Sequence, residues 1–338
     1  MATNDAWLSL VDEEALEPEL PICDPHHHLW DFRAGTVDRR YLIDEFLGDL
    51  GCGHNIVSTV FIECGTMFKA DGPEEMRPVG ETEFVNGIAA MSASGGYGTT
   101  RIAAGIVGTA YLTIGDEVGA TLDKQIEAGG GRFRGIRQAA TWHPSPRIGN
   151  HRTEPGEGLY GRGKFREGFA HLAPRALTFE AWCYHTQIDE LTALAKAFPD
   201  TTIILNHFGG PIGVGPYAGQ GDEVFSHWKR ALQSLAECPN VHAKLGGLGM
   251  EVNGFEWHKR ARPPSSEEVA SANRRYHETT IEAFGVERCM FESNFPVDKV
   301  SYSYTVIWNA FKRLTKAFSD DEKRQLFCDN AHRVYGLD

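Results

Sequence analysis

The sequence has no surplus of positive charge, no long apolar run and no close cysteine pair, and each absence removes a class of protein. Lysine and arginine number 33 against 46 acidic residues, for a formal charge of −13. A nucleic-acid binder would want a basic footprint instead. The global sign leaves an anionic small-molecule substrate open, because a local group of arginines outweighs a distant field. No stretch approaches the ~18 apolar residues that a membrane-spanning helix needs. Residues 1–20 are acidic and lack the positive start and apolar centre of a secretory signal, so they read as an N-terminal extension. The seven cysteines form no CxxC spacing. An odd count without such a pair points to reduced thiols and a cytoplasmic location. Cys23, Cys64, Cys183 and Cys289 sit in apolar, strand-like runs, where packing is the expected role. No glycine fingerprint follows the first strand-like run, and there is no internal repeat, low-complexity tract or interdomain linker.

What remains is ordinary globular material, 41% hydrophobic and 23% charged over 338 residues, enough for one large domain. The chain alternates strand-like and helix-like runs. Strands are expected at 22–28, 55–63, 101–107, 132–139, 177–184, 201–206, 241–245 and 288–292. Helices are expected at 39–50, 81–94, 115–128, 187–198, 223–237, about 265–283 and 304–316, with a helical tail at 319–335. The run Asn55-Ile-Val-Ser-Thr-Val-Phe-Ile-Glu63 is β-branched and suits a buried parallel strand. Residues 141–174 are rich in Pro, Gly, Arg and His, with a short helix near 166–172. A stretch of that length with weak periodicity suits a functional lid. Eight alternating pairs predict a (β/α)8 TIM barrel over 21–338, distorted and with long strand-end loops.

The first strand ends in Asp24-Pro25-His26-His27-His28. Residues two apart in a strand share a face, so Asp24, His26 and His28 are expected to project together and His27 to face away. Paired imidazoles can hold a metal or polarise a substrate oxygen; a hydrogen-bonded structural pair is the alternative. Barrel active sites lie at the C-terminal strand ends. Those ends carry Glu63 on strand two, Arg137 on strand four, His185 on strand five, His207 on strand six and Glu292 with Asn294 on strand eight. Arg134, three residues before Arg137, cannot share its inward face.

The ordered set DPHHHLWD, GRFRGIRQAA, CYHTQ, LNHFGGP, NVHAKLGGLGM and MFESNFPVDK resembles the amidohydrolase superfamily. The likeness is to its amidohydrolase-2 branch, which holds lactonases of pyrone dicarboxylates and sugar acids together with metal-dependent decarboxylases. It runs from about Pro21 to Tyr335. The resemblance implies that His26, His28, His185 and His207 are catalytic, and that His26, His28 and His185 are the ligands if a divalent metal, zinc or manganese, is held. Operation without metal stays equally open. Asn294 falls where the family usually has an aspartate, and an amide is a neutral ligand that cannot take a proton. Glu292, two residues earlier and so on the same face, is expected as the base, with Glu63 and Asp298 as alternatives. A core carboxylate paired with Arg137 or Lys244 is the competing reading of Glu292.

Arg137 matches a position that contacts substrate carboxylate in the pyrone lactonases. A planar guanidinium suits that task, and a salt bridge between barrel strands is the alternative. Glu63 and Tyr41 complete the expected substrate contacts, with Trp142, His143 and Tyr217 as further loop candidates. Trp257, His258, Lys259, Arg260 and Arg262 form a basic aromatic loop that either clamps an anion or is simply solvated. The expected activity is opening of a lactone of a small catabolic or sugar acid. A divalent-metal-dependent decarboxylase of an aromatic or unsaturated acid is the second reading, and a non-catalytic ligand-binding barrel the third. The expected partner is a small, anionic molecule, without nucleic acid or membrane, and homo-oligomerisation is left open.

Overall fold

The computed structural model describes residues 4–33 and 39–337; residues 1–3 of the expected extension, 34–38, and 338 of the expected barrel lie outside the described residues. Eight parallel strands follow one another in chain order around a single sheet: β1 (Pro21–His27), β2 (Asn55–Ile62), β3 (Arg101–Gly108), β4 (Phe133–Arg137), β5 (Thr178–Ala181), β6 (Ile203–Leu205), β7 (Val241–Leu245) and β8 (Cys289–Phe291). The sheet closes just past its last strand. The backbone N–H of His28 donates to Phe295 O at 2.8 Å, and that of Asn294 to His26 O at 3.0 Å. The protein is a (β/α)8 TIM barrel.

The helices are α1 (Asp5–Leu8), α2 (Ile43–Leu50), α3 (Val79–Ala93), α4 (Val118–Ala128), α5 (Gly163–Phe169), α6 (Ile188–Ala197), α7 (Gly221–Ala236), α8 (Ser266–Phe284), α9 (Tyr304–Leu314), α10 (Asp320–Arg324) and α11 (Asn330–Tyr335). Their sequences show why they lie on the barrel. In α7 the buried set Val224, Trp228, Ala231, Leu232 and Leu235 repeats at 4, 3, 1 and 3, one apolar face of a helix with 3.6 residues per turn. Helix α8 starts at a capping box: Ser265 Oγ accepts from Glu268 N at 3.3 Å, and the Glu268 carboxylate accepts from Ser265 N at 2.8 Å, which satisfies two otherwise orphaned donors.

Differences from the sequence expectation fall where chain leaves the ladder. The fifth strand stops at Ala181 rather than 184, because Trp182 to His185 turn outward over the rim and a one-turn 3-10 helix begins at His185. The lid helix runs Gly163–Phe169, earlier than expected, because Phe165 and Phe169 pack on Phe179 of β5 at ring separations of 6.0 and 5.0 Å. Residues 4–20 lie across α8, α9 and the loops before and after them. Asn4 Nδ2 donates to Lys299 O at 2.9 Å, Trp7 Nε1 to Arg260 O at 3.1 Å, and Lys312 Nζ to Leu16 O at 2.7 Å.

Candidate active site

The side chains at the strand ends fall into a floor, a wall and a lid. The floor begins with a register shift in β1 between Asp24 and His27, which breaks the simple alternation. His26 and His28 do point together, with ring centroids 4.9 Å apart. His27 faces out, stacked on Phe46 of α2 at 4.4 Å with Nε2 on Thr59 Oγ1 at 2.9 Å. Asp24 does not join the histidines. Its oxygens accept from Ser293 N at 3.0 Å, Ser293 Oγ at 2.5 Å and Tyr304 Oη at 2.9 Å, so it ties β1 to the end of β8 and to α9.

Glu292, the residue after β8, is fully buried between two histidines. Its Oε1 lies 2.6 Å from His207 Nδ1, and its Oε2 2.5 Å from His26 Nδ1. Burial pushes its carboxyl up to about 8. It pairs with neither Arg137 nor Lys244: the former is bound to Glu63 and the latter to Glu180 at 2.9 Å. Two glycines make room for this group. A Cβ on Gly247, whose φ is +78°, would stand 2.2 Å from His207 Nδ1, and one on Gly246 would stand 2.1 Å from Glu292 O. The Leu-Gly-Gly run after β7 is thus a steric requirement of the floor.

Hydrogen-bond partners fix the imidazole tautomers. His28 Nδ1 lies 2.7 Å from Ile62 O; a carbonyl only accepts, so Nδ1 carries the proton and Nε2 the lone pair. His26 Nε2 lies 3.3 Å from Arg137 Nη1, a donor only, so the neutral His26 ring carries its proton on Nδ1, facing Glu292. Burial, followed by neighbouring positive charges, holds His26 and His28 well below the ordinary imidazole range; burial with Arg137 and Lys244 does the same to His207. These rings are neutral at physiological pH.

The wall is a chain of charges. Arg137 Nε donates to Glu63 Oε1 at 2.8 Å and its Nη2 to Glu63 O at 2.6 Å, while Arg152 of the lid reaches Glu63 Oε2 at 2.5 Å. Burial alone would raise the Glu63 carboxyl, but Arg152 and Arg137 hold it well below the carboxylate range. Above the floor opens a cavity of about 410 Å3, bounded by Trp30, Arg33, Arg152, Trp182, Tyr184 and Val297 among others. Trp182 stands edge-on to His207 at 4.8 Å, and Trp30 stacks beside His28 at 6.2 Å, so the two indoles both line the cavity and meet the histidines of the floor.

A family model described as amidohydrolase matches residues 23–337. The chain belongs to the amidohydrolase family. Among curated proteins, the uncharacterized protein y4mH of Sinorhizobium fredii is 35% identical over 336 residues, covering 94% of this chain and 99% of the relative. The L-fucono-1,5-lactonase of Burkholderia multivorans is 25% identical over 174 residues, 51% of this chain and 56% of that enzyme. Among solved structures, a Burkholderia multivorans amidohydrolase with bound zinc superposes with a TM-score of 0.70 at 22% identity, covering 94% of this chain and 99% of that one, which shows a shared fold.

The floor departs from the metal trio expected of the family. Among the described residues, the group of three whose ligand atoms lie within 4.8 Å of one another is His26, His207 and Glu292; of the expected trio only His26 belongs to it. His28 stands beside this group. His185 does not converge on it: its ring meets Tyr217 at 5.1 Å and His227 at 5.6 Å, and its Nδ1 accepts from Ile212 N at 3.3 Å. The donor set nevertheless fits a divalent cation. Two imidazoles and a carboxylate are a zinc-type set. His26 Nδ1 and Glu292 Oε2 lie 2.5 Å apart, yet neither has a hydrogen-bond partner of acceptable geometry.

Other expected residues sit elsewhere. Asn294, at φ +56°, turns its amide to Asp298 at 2.8 Å, away from Glu292. Tyr41 is buried, with its hydroxyl spent on Asp49 at 2.6 Å, so the expected substrate contact is instead a core tyrosine. Arg137 and Glu63 satisfy each other. In the basic loop after β7, Arg260 covers Trp257 at 4.1 Å, Lys259 meets Glu256 and Arg262 meets Glu268; its charges are paired locally. His143 reaches Tyr217 at 3.3 Å. Burial raises the Cys23, Cys64, Cys183 and Cys289 thiols, consistent with packing. Sequence reasoning missed Arg152, His151 and Trp182 as cavity residues, although the arginine and histidine content of residues 141–174 pointed toward the first two. No helix among the described residues is long and apolar enough to cross a membrane.

Proposed function

We propose that this amidohydrolase-family protein is a hydrolase that opens a lactone. The observation that carries the reading is the buried carboxyl of Glu292 held between His26 and His207, beneath a cavity of small-ligand size. Ester hydrolysis needs a group that takes a proton from water, a polariser for the carbonyl and a proton donor for the leaving oxygen. A carboxyl whose proton affinity is raised by burial is matched to the first task near neutral pH. His28 directs a lone pair from Nε2, suiting it to orient a water, and His207 Nδ1 can exchange a proton with Glu292. Arg137, 3.3 Å from His26 Nε2, fixes the His26 tautomer and adds positive charge beside the place where an oxyanion would form. Asn294, bonded to Asp298, positions the β8 turn rather than taking the proton. A divalent cation would be held by His26, His207 and Glu292, and when bound it would supply carbonyl polarisation and a more acidic water. The likeness to a protein named L-fucono-1,5-lactonase supports a lactone rather than another ester as the substrate of this chain.

The test is a panel of aldono- and unsaturated lactones followed by pH indicator, with Glu292→Gln and His26→Ala beside the parent chain. A parent that opens at least one lactone, with both variants down by about 10²-fold or more, upholds the reading. Failure of a folded, metal-supplemented parent to open any of them would falsify it.

A further inference from the structure

The tail of the chain lies at the end of the barrel opposite the cavity. His332 Nε2 is 2.7 Å from Ser58 Oγ of β2, and Arg134 Nη2 of β4 donates to Gly336 O at 3.3 Å. Both strand residues precede the rim ends of their strands. From there Tyr335 and Leu337 pack in one buried cluster with Val60, Val107, Ile204 and Met290 of the strands. Contacts at this face of a barrel ordinarily serve stability, but the Tyr335 hydroxyl reaches further. It donates to Oε1 of Glu180 on β5, a fully buried carboxylate.

Glu180 gathers two more donors. Lys244 Nζ of β7 lies 2.9 Å from its Oε2, and Asn206 Nδ2 donates to the same oxygen. Each of these two leads on to His26. Lys244 Nζ also donates to Pro25 O at 2.8 Å, on the residue before His26 and inside the register shift of β1. Asn206 Oδ1 accepts from Arg137 Nη1 at 3.5 Å, and that same nitrogen faces His26 Nε2 at 3.3 Å. One carboxylate thus reaches both the backbone beside His26 and the ring atom that fixes its tautomer. Barrel interiors are mostly filled by branched apolar side chains. An enclosed ion pair in their place adds little stability, because desolvation offsets the attraction. What this pair supplies is the arrangement of the floor.

Resting on the reading of His26, His207 and Glu292 as the reacting groups, we propose that Tyr335, Glu180 and Lys244 are positioning residues for the floor. Helix α11 holds Glu180 from beneath, and Glu180 sets His26 through Lys244 at Pro25 O and through Asn206 and Arg137 at Nε2. The active site therefore depends on both ends of the barrel.

Tyr335→Phe removes one hydroxyl and keeps the ring that packs the barrel. Nuclear magnetic resonance of the full chain, isotope-labelled at its histidine nitrogens, tests the proposal without turnover, the His26 signals being assigned by their loss in His26→Gln. The His26 ring nitrogens are expected to shift in Tyr335→Phe, while those of His171 and His227, which make none of these contacts, stay in place. On a lactone that the parent opens, kcat per folded molecule is expected to fall about tenfold or more, with KM within about threefold. Lys244→Met alone would strand the Glu180 carboxylate, so it is combined with Glu180→Gln. That double variant keeps the interior neutral and is expected to fold, yet to lose about tenfold or more in kcat because Pro25 O has lost its donor. A merely structural role predicts parental kcat in every folded variant. Unmoved His26 signals in folded Tyr335→Phe, or parental kcat in either folded variant, would overturn the proposal. If the parent opens no lactone, the hydrolase reading falls and the His26 signals alone judge the positioning.

Discussion

At the scale of single residues, Glu81 behind the Glu63–Arg137 wall gives the clearest pH dependence. Its Oε1 accepts from Cys64 N at 2.9 Å and Thr66 N at 3.0 Å, while Oε2 is buried without a partner. Burial, and then the negative charge of Glu63, push its carboxyl above the usual 4.5 toward neutrality. The folded chain therefore keeps a proton that the unfolded chain has released. That contribution is complete below about pH 4.5 and is lost as pH rises toward neutral. Between pH 5 and 8 the urea midpoint of the parent chain is expected to fall relative to that of Glu81→Gln, whatever the shared trend set by the buried histidines; parallel profiles would refute the assignment. Gly247→Ala is a second residue-scale case. At φ +78° and 2.2 Å from His207 Nδ1, the added methyl must displace the histidine, at a cost of about 1–3 kcal/mol. Activity is expected to fall with stability, and a fully active, fully stable alanine variant would show the floor to be looser than described.

The β1 and β8 ends were legible in the sequence because their histidines and carboxylate sit where strands meet the rim. Alternation failed for Asp24, since a register shift in β1 is invisible to period-two counting. His185 was misplaced because the chain turns into a 3-10 helix at that residue, and Gln187 secures the turn by accepting from Tyr184 N at 3.1 Å. Tyr41 and Arg137 have the right chemistry for ligand contact, but their partners, Asp49 and Glu63, come from other segments that no local pattern connects. Among elements, residues 141–174 were legible as an irregular stretch and not as the source of an arginine at Glu63, because that contact spans 89 positions. The α8 start is readable outright. Ser265→Ala is expected to cost about 1 kcal/mol in thermal or urea unfolding, and no loss would mean the cap contributes nothing here.

For the molecule as a whole, eight alternating units in chain order made the barrel readable, since no step requires a long crossover. The overall charge of −13 opposes the approach of any anion, and salt screens distant charges beyond a Debye length of about 8 Å at 0.15 M.

The pairing of His26 with Glu292 also orders events during synthesis. His26 leaves the ribosome well before Glu292, and β1, which carries His26, can close the ring only when Asn294 and Phe295 arrive. A nascent chain halted after β7 therefore carries an open sheet edge and a His26 without its carboxylate partner. The His26–Glu292 floor comes into being at the last strand, so growing chains lack it and depend on protection of the open edge until closure.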